Sequence, residues 1–276
     1  MPTEQEWFSG YDIMNIGERD RDTLTASGLR FAYAAPSARV HDAVDPRGSL
    51  RVEMQYSLSS CTGNGCTTAC EAIAGWQLGS FENVPQLSRW FSYKTGQKLW
   101  GHEGRDIGCS IQGVVDAAKR FGHCLESIVK YPSAYNNSPF QQAALADALN
   151  RRIQSHTPIE TCEDWINYID AGFGAVVFGV VWTKRMRACT GRLTLADVRE
   201  DGSRGGHCMA GVGFTRDGKV LWANSHSERW AKGGYAEVDP DAIDYLLQRP
   251  YTVAIGISDL TGFDKTRVLS QSKGMG

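Results

Sequence analysis

The sequence lacks the features that mark several large classes of protein. No stretch reaches the roughly 18 consecutive apolar residues of a membrane span, and the longest apolar run, Phe173–Trp182, fits a buried strand. The first residues are acidic and polar, without the apolar segment of a secretion signal. The net charge is only −2 at pH 7. We therefore expect no nucleic-acid partner, no membrane partner, and a cytoplasmic or virion-associated location.

The cysteine spacings of common metal and redox sites are also missing. The chain contains no C-x-x-C pair and no two histidines at ligand spacing, so we predict neither a metal site nor a redox dithiol. Without a secretion signal, a mostly reduced state is expected. There are eight cysteines, at positions 61, 66, 70, 109, 124, 162, 189 and 208.

The 276 residues are 42% hydrophobic and 22% charged, an ordinary composition for a soluble globular protein with room for one large domain or two lobes. Apolar periodicity changes from helical in the first half to strand-like in the second, which indicates an α+β fold. Helices are predicted from Cys61 onward and at Val84–Tyr93, Ile111–Phe121, Gln141–Ile153, Asp164–Ala171 and Asp239–Leu247. Strands are predicted at Gly174–Val181, Cys208–Phe214, Val220–Asn224, Tyr235–Val238 and Tyr251–Ile257.

The most informative stretch is Gln55–Gly75. A polar loop leads to Cys61, and a helix is predicted to follow because apolar residues then recur at intervals of three and four. Cys61 would lie at the helix N-terminus, where unpaired N–H groups and the macrodipole stabilise a thiolate. Gln55, six residues earlier, can offer a side-chain N–H to an oxyanion. The apolar positions are Cys66, Ala69, Cys70, Ile73 and Trp76.

This stretch resembles the active-site segment of papain-like cysteine peptidases, whose glutamine also lies six residues before the nucleophile. The resemblance is closest to the bacterial and phage branch, in which a threonine such as Thr62 often follows the cysteine. The eukaryotic signature C-G-[SA]-C-[WY] is not matched. A cysteine at a helix start can also be a small core residue, so this segment alone leaves both interpretations open.

The second half of the chain supplies partners for such a nucleophile. His207, 146 positions after Cys61, follows two glycines and enters an apolar strand, which resembles the family's histidine segment. Further on, Asn224–Tyr235 resembles the family's Asn-Ser-Trp-Gly-x-x-Trp-Gly-x-x-Gly-Tyr, with matches at Asn224, Ser225, Trp230, Gly234 and Tyr235. By this resemblance His207 is the base and Asn224 orients its ring. The histidines at 41, 102, 123 and 156 are expected to be structural or at the surface.

Three residues depart from the family pattern. His226 stands where the family usually has tryptophan, and Ser227 and Ala231 stand where it usually has glycine. The tryptophan shields the histidine–asparagine hydrogen bond, so His226 in its place predicts a bond more accessible to water. It also places a second base near the site.

The resemblance implies a papain-like two-lobe α+β fold, with a helical N-terminal lobe that carries the nucleophile and an antiparallel, barrel-like C-terminal lobe. We predict an extension at residues 1–43, a peptidase domain at 44–258 and a tail at 259–276. Within the domain, the helical lobe covers about residues 55–170 and the strand-rich lobe about 171–258. The extension is shorter than a usual prodomain, which leaves open how activity is restrained.

The implied activity is hydrolysis of peptide bonds in a peptide or protein substrate, without a cofactor, by Cys61, His207 and Asn224 with Gln55 as oxyanion donor. One alternative is a catalytically silent papain-like protein that binds partner proteins in a larger assembly such as a phage particle. Another is an amidase or transpeptidase of cell-wall peptides, because the same chemistry can serve water or an amine as acceptor.

Overall fold

The computed structural model describes residues 39–172, 174–203 and 205–263. None of the helices in these ranges combines the length and the apolar character that a membrane span requires. The helices are α1 (Cys61–Leu78), α2 (Arg89–Trp100), α3 (Ile111–Arg120), α4 (Gln142–Ala148), α5 (Cys162–Asp170), α6 (Lys184–Arg187), α7 (Leu195–Val198) and α8 (Pro240–Leu247). The strands are β1 (Ile153–Pro158), β2 (Gly174–Val181), β3 (Arg192–Leu193), β4 (Gly206–Phe214), β5 (Val220–Ala223), β6 (Tyr235–Val238) and β7 (Val253–Leu260).

The strands form one sheet in the order β1-β7-β2-β4-β5-β6-β3. Neighbouring strands are antiparallel except β3, which pairs with β6 in parallel. The central strands β2 and β4 are apolar along nearly their whole length because both faces of the sheet are covered. One core joins α1, α2 and α3 to the sheet, and a second lies against α5 and α8. The predicted α+β fold class is confirmed.

Helix α1 is the centre of the first core and is buried on almost every side. The apolar stripe predicted from the sequence therefore describes only part of its contacts. Two glycines allow close approach on other faces: a Cβ on Gly63 would come within 2.5 Å of the Arg89 carbonyl oxygen, and one on Gly65 within 2.9 Å of the Cys208 sulfur. At these two glycines the backbone of α1 thus approaches both α2 and β4 closely, and a larger residue would not fit.

Several predicted elements are confirmed with their boundaries. Helix α1 begins at Cys61, and β2 and β6 span the predicted residues. Helix α3 begins after Ser110, whose hydroxyl accepts a hydrogen bond from the Gly113 N–H at 2.8 Å. The predicted cap position Asp239 precedes α8, although its side chain makes no capping bond. These boundaries are set by local signals, namely caps, turns and apolar runs.

The helix predicted at Val84–Tyr93 is wrong in its start, because α2 begins only at Arg89. Leu87 instead forms an isolated β-bridge with Leu125, and its N–H donates to Glu71 at 2.7 Å. Ser88 then caps the helix by accepting from the Phe91 N–H at 3.1 Å. Partners distant in sequence thus hold Leu87 in an extended conformation and delay the helix by five residues relative to Val84.

The helix predicted at Gln141–Ile153 is shorter than expected, and its two leucines are exposed. Helix α4 ends at Ala148, with Ala144 and Ala148 buried, whereas Leu145 and Leu149 are exposed. Ile153 instead begins β1, an edge strand of polar sequence that the apolar pattern did not predict. β1 is stabilised by its hydrogen bonds to β7, so its conformation depends on tertiary pairing.

Candidate active site

Cys61 is the first residue of α1 and is completely buried. Ser60 occupies the N-cap position, and its side chain makes no capping bond to the first turn. The loop before it is held by Asp106, whose carboxylate accepts the Ser59 N–H at 3.0 Å and the Tyr93 hydroxyl at 3.0 Å. The chain therefore places a thiol at the positive end of a long helix.

His207 and Asn224 face each other across the neighbouring strands β4 and β5. His207 Nε2 lies 2.7 Å from Asn224 Oδ1, and both residues are buried. The same oxygen accepts the Ser225 N–H at 2.7 Å, which fixes the orientation of the Asn224 amide. Nδ1 of His207 is buried without a hydrogen-bond partner in the described part of the chain. One ring nitrogen is therefore anchored while the other is available for a proton.

Gln55 is held beside this pair by Ser225. The Gln55 N–H donates to the Ser225 carbonyl at 2.9 Å, and the Ser225 hydroxyl donates to Gln55 Oε1 at 2.7 Å. Gln55 Nε2 donates one hydrogen to the Leu58 carbonyl at 2.9 Å. Because an amide nitrogen carries two hydrogens, a second N–H remains for another acceptor.

Tyr131 connects Gln55 to the start of α1. Its hydroxyl donates to the Gln55 carbonyl at 2.9 Å and makes a short hydrogen bond with the Ser60 hydroxyl. A continuous path of hydrogen bonds and adjacent residues therefore runs from Cys61 through Ser60, Tyr131, Gln55 and Ser225 to Asn224 and His207. The packing of Gly65 on Cys208 and Met209 also brings α1 directly against the residues that follow His207.

His226 does not leave the His207–Asn224 bond open to water, contrary to the prediction. The His226 ring stacks on His207 with centroids 4.5 Å apart and planes 24° apart. Trp182 also contacts His207, with ring centroids 4.7 Å apart. The His226 imidazole and Trp182, which directly follows β2, thus shield the His207 ring. The family pattern assigns this role to a single tryptophan.

The environment of His207 favours its neutral form. Burial lowers the pKa of His207, the hydrogen bond to Asn224 partly opposes this effect, and the charge of the nearby Arg187 adds to the lowering, so that the pKa is about 4. Burial also lowers the pKa of His226 well below its usual value, together with the charges of His207 and Arg187. Asn224 Nδ2 lies 3.4 Å from His226 Nδ1. A neutral imidazole is the form that can accept the proton of a thiol.

A buried charge network around Arg89 supports the loop that contains Gln55. Arg89 of α2 contacts Glu53 at 2.6 Å and Glu126 at 2.9 Å, and all three side chains are largely buried. Its guanidinium also lies 4.3 Å from the centre of the Tyr131 ring. Because Glu53 lies two residues before Gln55, this network helps to fix both Gln55 and the hydroxyl that binds it.

Three residues of the site were not predicted from the sequence: Tyr131, Ser225 and Trp182. Ser225 lies in the segment that matches the family pattern, so the pattern itself was a usable signal for it. Trp182 had no such signal, because its contact with His207 depends on the pairing of β2 with β4, in which Val181 lies opposite Gly206.

No family model and no curated protein matches the chain. Several solved structures, in contrast, are similar to the chain. Xylellain, a cysteine protease from Xylella fastidiosa, superposes with a TM-score of 0.64 at 20% identity over 80% of this chain and 87% of that chain. A cysteine protease from Carica candamarcensis superposes with a TM-score of 0.59 at 18% identity, over 80% of this chain and 99% of that chain. Procathepsin L 3 of Tenebrio molitor larval midgut superposes with a TM-score of 0.65 at 13% identity, over 88% of this chain and 79% of that chain.

The fold is therefore that of an α+β protein with a cysteine at the start of its central helix and a histidine–asparagine pair on the adjacent sheet. More specifically, the chain has the papain-like fold, as the resemblance implied. The neighbours are cysteine proteases of bacteria, plants and insects.

Proposed function

We propose that this protein is a cysteine peptidase that hydrolyses peptide bonds of a peptide or protein substrate. In this proposal Cys61 is the nucleophile, His207 the general base and acid, Asn224 the residue that orients His207, and Gln55 an oxyanion donor. The observation that carries the proposal is the 2.7 Å hydrogen bond between His207 and Asn224, together with the hydrogen bonds and adjacent residues that link this pair through Gln55 to Cys61. The other His207 ring nitrogen has no hydrogen-bond partner among the described residues.

The proposed reaction begins with proton transfer from the Cys61 thiol to Nδ1 of His207, which gives a thiolate–imidazolium pair. The thiolate attacks the substrate carbonyl, and the free N–H of the Gln55 amide and the Cys61 backbone N–H stabilise the oxyanion. His207 then protonates the leaving amine, and water hydrolyses the acyl-enzyme with His207 as base. The helix N-terminus favours the thiolate throughout.

The first test is stoichiometric labelling with an epoxide inactivator of cysteine peptidases, followed by intact-mass measurement and peptide mapping. We expect a single adduct on Cys61, because it is the cysteine proposed to react as a dyad with His207 at a helix N-terminus. Cys66 and Cys70, which contact His123, lie further along α1 in the core. In His207→Ala the labelling rate should fall by about 10²- to 10⁴-fold, the usual contribution of a general base. Since Cys61 is fully buried, the absolute rate also reports how often the site opens.

The matched control for labelling is His156→Ala, which removes a histidine of the edge strand β1. This variant should be labelled at the rate of the parent protein. Adducts distributed over several cysteines, or a rate independent of His207, would contradict the proposed dyad and favour a silent binding protein with this fold.

The pH dependence of kcat/KM tests the role of Asn224. The hydrogen bond from His207 to Asn224 raises the pKa of His207, so Asn224→Ala should lower it. The proposed reactive form is the thiolate–imidazolium pair, and the alkaline limb of the profile reports loss of the imidazolium proton from that pair. This limb should therefore move to lower pH in Asn224→Ala, and kcat/KM at neutral pH should fall. Asn224→Asp should move the same limb to higher pH, because a carboxylate stabilises the imidazolium more strongly. Identical alkaline limbs in the three proteins would show that Asn224 does not act through His207.

A further inference from the structure

A second cluster of reactive side chains lies in the core, outside the proposed active site. Cys66 and Cys70 are one turn apart on α1, and His123 lies in the segment that follows α3. All three are completely buried. His123 Nε2 lies 3.3 Å from the Cys70 sulfur and 4.0 Å from the Cys66 sulfur, and the three donor atoms all lie within 4.8 Å of one another. From this geometry we propose that Cys66, Cys70 and His123 bind a zinc ion.

The distances match those that a tetrahedral ion requires. With Zn–S and Zn–N bonds of 2.3 Å and about 2.0–2.1 Å, tetrahedral angles place a sulfur and a nitrogen ligand about 3.6 Å apart. The two observed separations, 3.3 and 4.0 Å, lie on either side of this value. The two sulfur atoms lie within 4.8 Å of each other, compared with about 3.8 Å for two sulfur ligands of a tetrahedral zinc ion, so small side-chain adjustments would let one ion reach all three atoms.

The chemistry of the donors selects the ion. Two thiolates and an imidazole favour Zn²⁺ or Cu⁺ over the oxygen-seeking ions Mg²⁺ and Ca²⁺. Two thiolates also cancel the charge of a divalent ion, so a zinc complex is neutral, whereas Cu⁺ would leave one negative charge buried in the core. Since a buried net charge is costly, the site fits Zn²⁺ best.

A buried polar atom completes the surroundings. The Ser92 hydroxyl, on α2, faces the Cys66 sulfur and makes no other hydrogen bond within the described ranges. In the proposed site this hydroxyl is a candidate for the fourth donor. His123 Nδ1 is likewise buried without a partner there. An imidazole whose hydrogen-bond contacts within the described residues are with sulfur atoms alone is costly in an apolar core, and metal binding gives it a stabilising role.

The ion would join α1 to the segment that follows α3. Its ligand Cys66 lies on α1, five residues after Cys61. Its role would be to stabilise the helix that carries the proposed nucleophile. Because every ligand is buried, the ion is expected to enter while the chain folds. Loading is therefore best done during refolding from denaturant under reducing conditions, with Zn²⁺ or Co²⁺ present.

The test uses Cys61→Ala as the parent, so that the proposed nucleophile cannot bind the added metal. After refolding and desalting, the parent should retain one Zn²⁺ per chain, and the Co²⁺ form should show thiolate-to-cobalt charge-transfer absorption. Adding Cys70→Ala or His123→Ala should lower the retained metal from one ion to none. Adding Cys162→Ala, which removes a buried cysteine of the second core, should leave it at one.

The second measurement is the thermal unfolding midpoint with and without metal. It distinguishes loss of the metal site from failure of a variant to fold. The parent should unfold at higher temperature with Zn²⁺ than with a chelator, and this difference should vanish in Cys66→Ser. A folded parent without retained metal, without the cobalt–thiolate band and with the same midpoint in zinc and chelator would overturn the proposal. So would retained metal that is unchanged in both Cys70→Ala and His123→Ala.

Discussion

Cys61→Ala is expected to lower kcat for peptide hydrolysis by about 10⁴-fold or more, because no other group could form the acyl-enzyme. The fold should be retained, since the change removes one sulfur atom at the start of α1 while the loop contacts through Ser60 and Tyr131 remain. The measurement is hydrolysis of a fluorogenic peptide by purified protein. Circular dichroism and the unfolding midpoint would show whether the variant is folded.

Cys124→Ala is the matched control, since it removes another buried thiol from a small separate cluster around Phe91. Its kcat should stay within about threefold of the parent, the effect expected for a side chain remote from the reaction. Cleavage that persists at the parent rate in Cys61→Ala would show that Cys61 is not the nucleophile. It would remove the basis of the proposed function while leaving the fold assignment intact.

Arg89→Met is expected to have the largest effect on stability, a loss of about 3–5 kcal/mol in the free energy of unfolding. The substitution keeps much of the apolar stem but leaves Glu53 and Glu126 largely buried without the cation that lies 2.6 and 2.9 Å from them. It also removes the contact with Tyr131. Denaturant unfolding gives the change, with the midpoint and slope both recorded.

Arg216→Met provides the comparison for a surface pair. Arg216 lies 2.8 Å from Asp42, but the two side chains are 83% and 79% exposed, so water screens the interaction. The unfolding midpoint of Arg216→Met should therefore match that of the parent protein. Equal losses in Arg89→Met and Arg216→Met would contradict the view that the buried network supports the loop before Cys61.

Local sequence patterns were sufficient for much of the framework. The helix that starts at Cys61, the cap at Ser110 and the strand Gly174–Val181 follow from periodicity, capping and apolar runs, which act between near neighbours. The order Gln55, Cys61, His207, Asn224 came from a resemblance to a family. The structure connects these four residues by hydrogen bonds and packing, and their catalytic roles remain a proposal.

Other features depend on partners that no local window contains. Leu87 is extended because Leu125 pairs with it and Glu71 accepts its N–H, so α2 begins later than the pattern indicates. The polar strand β1 forms because β7 supplies its hydrogen bonds. Both cases follow from tertiary contacts that outweigh local preference, which differs by only about 1 kcal/mol between residues.

The sequence by itself determined the fold class and placed Cys61 at a helix start, because both depend on patterns repeated along the chain. Only the tertiary structure decided that Trp182 and His226 enclose His207, and that His123 joins Cys66 and Cys70 in the core. The missing C-x-x-C pair had argued against a metal site. A helical turn and a distant loop can bring donor atoms together equally well, because coordination depends on distances in space rather than on spacing in the sequence.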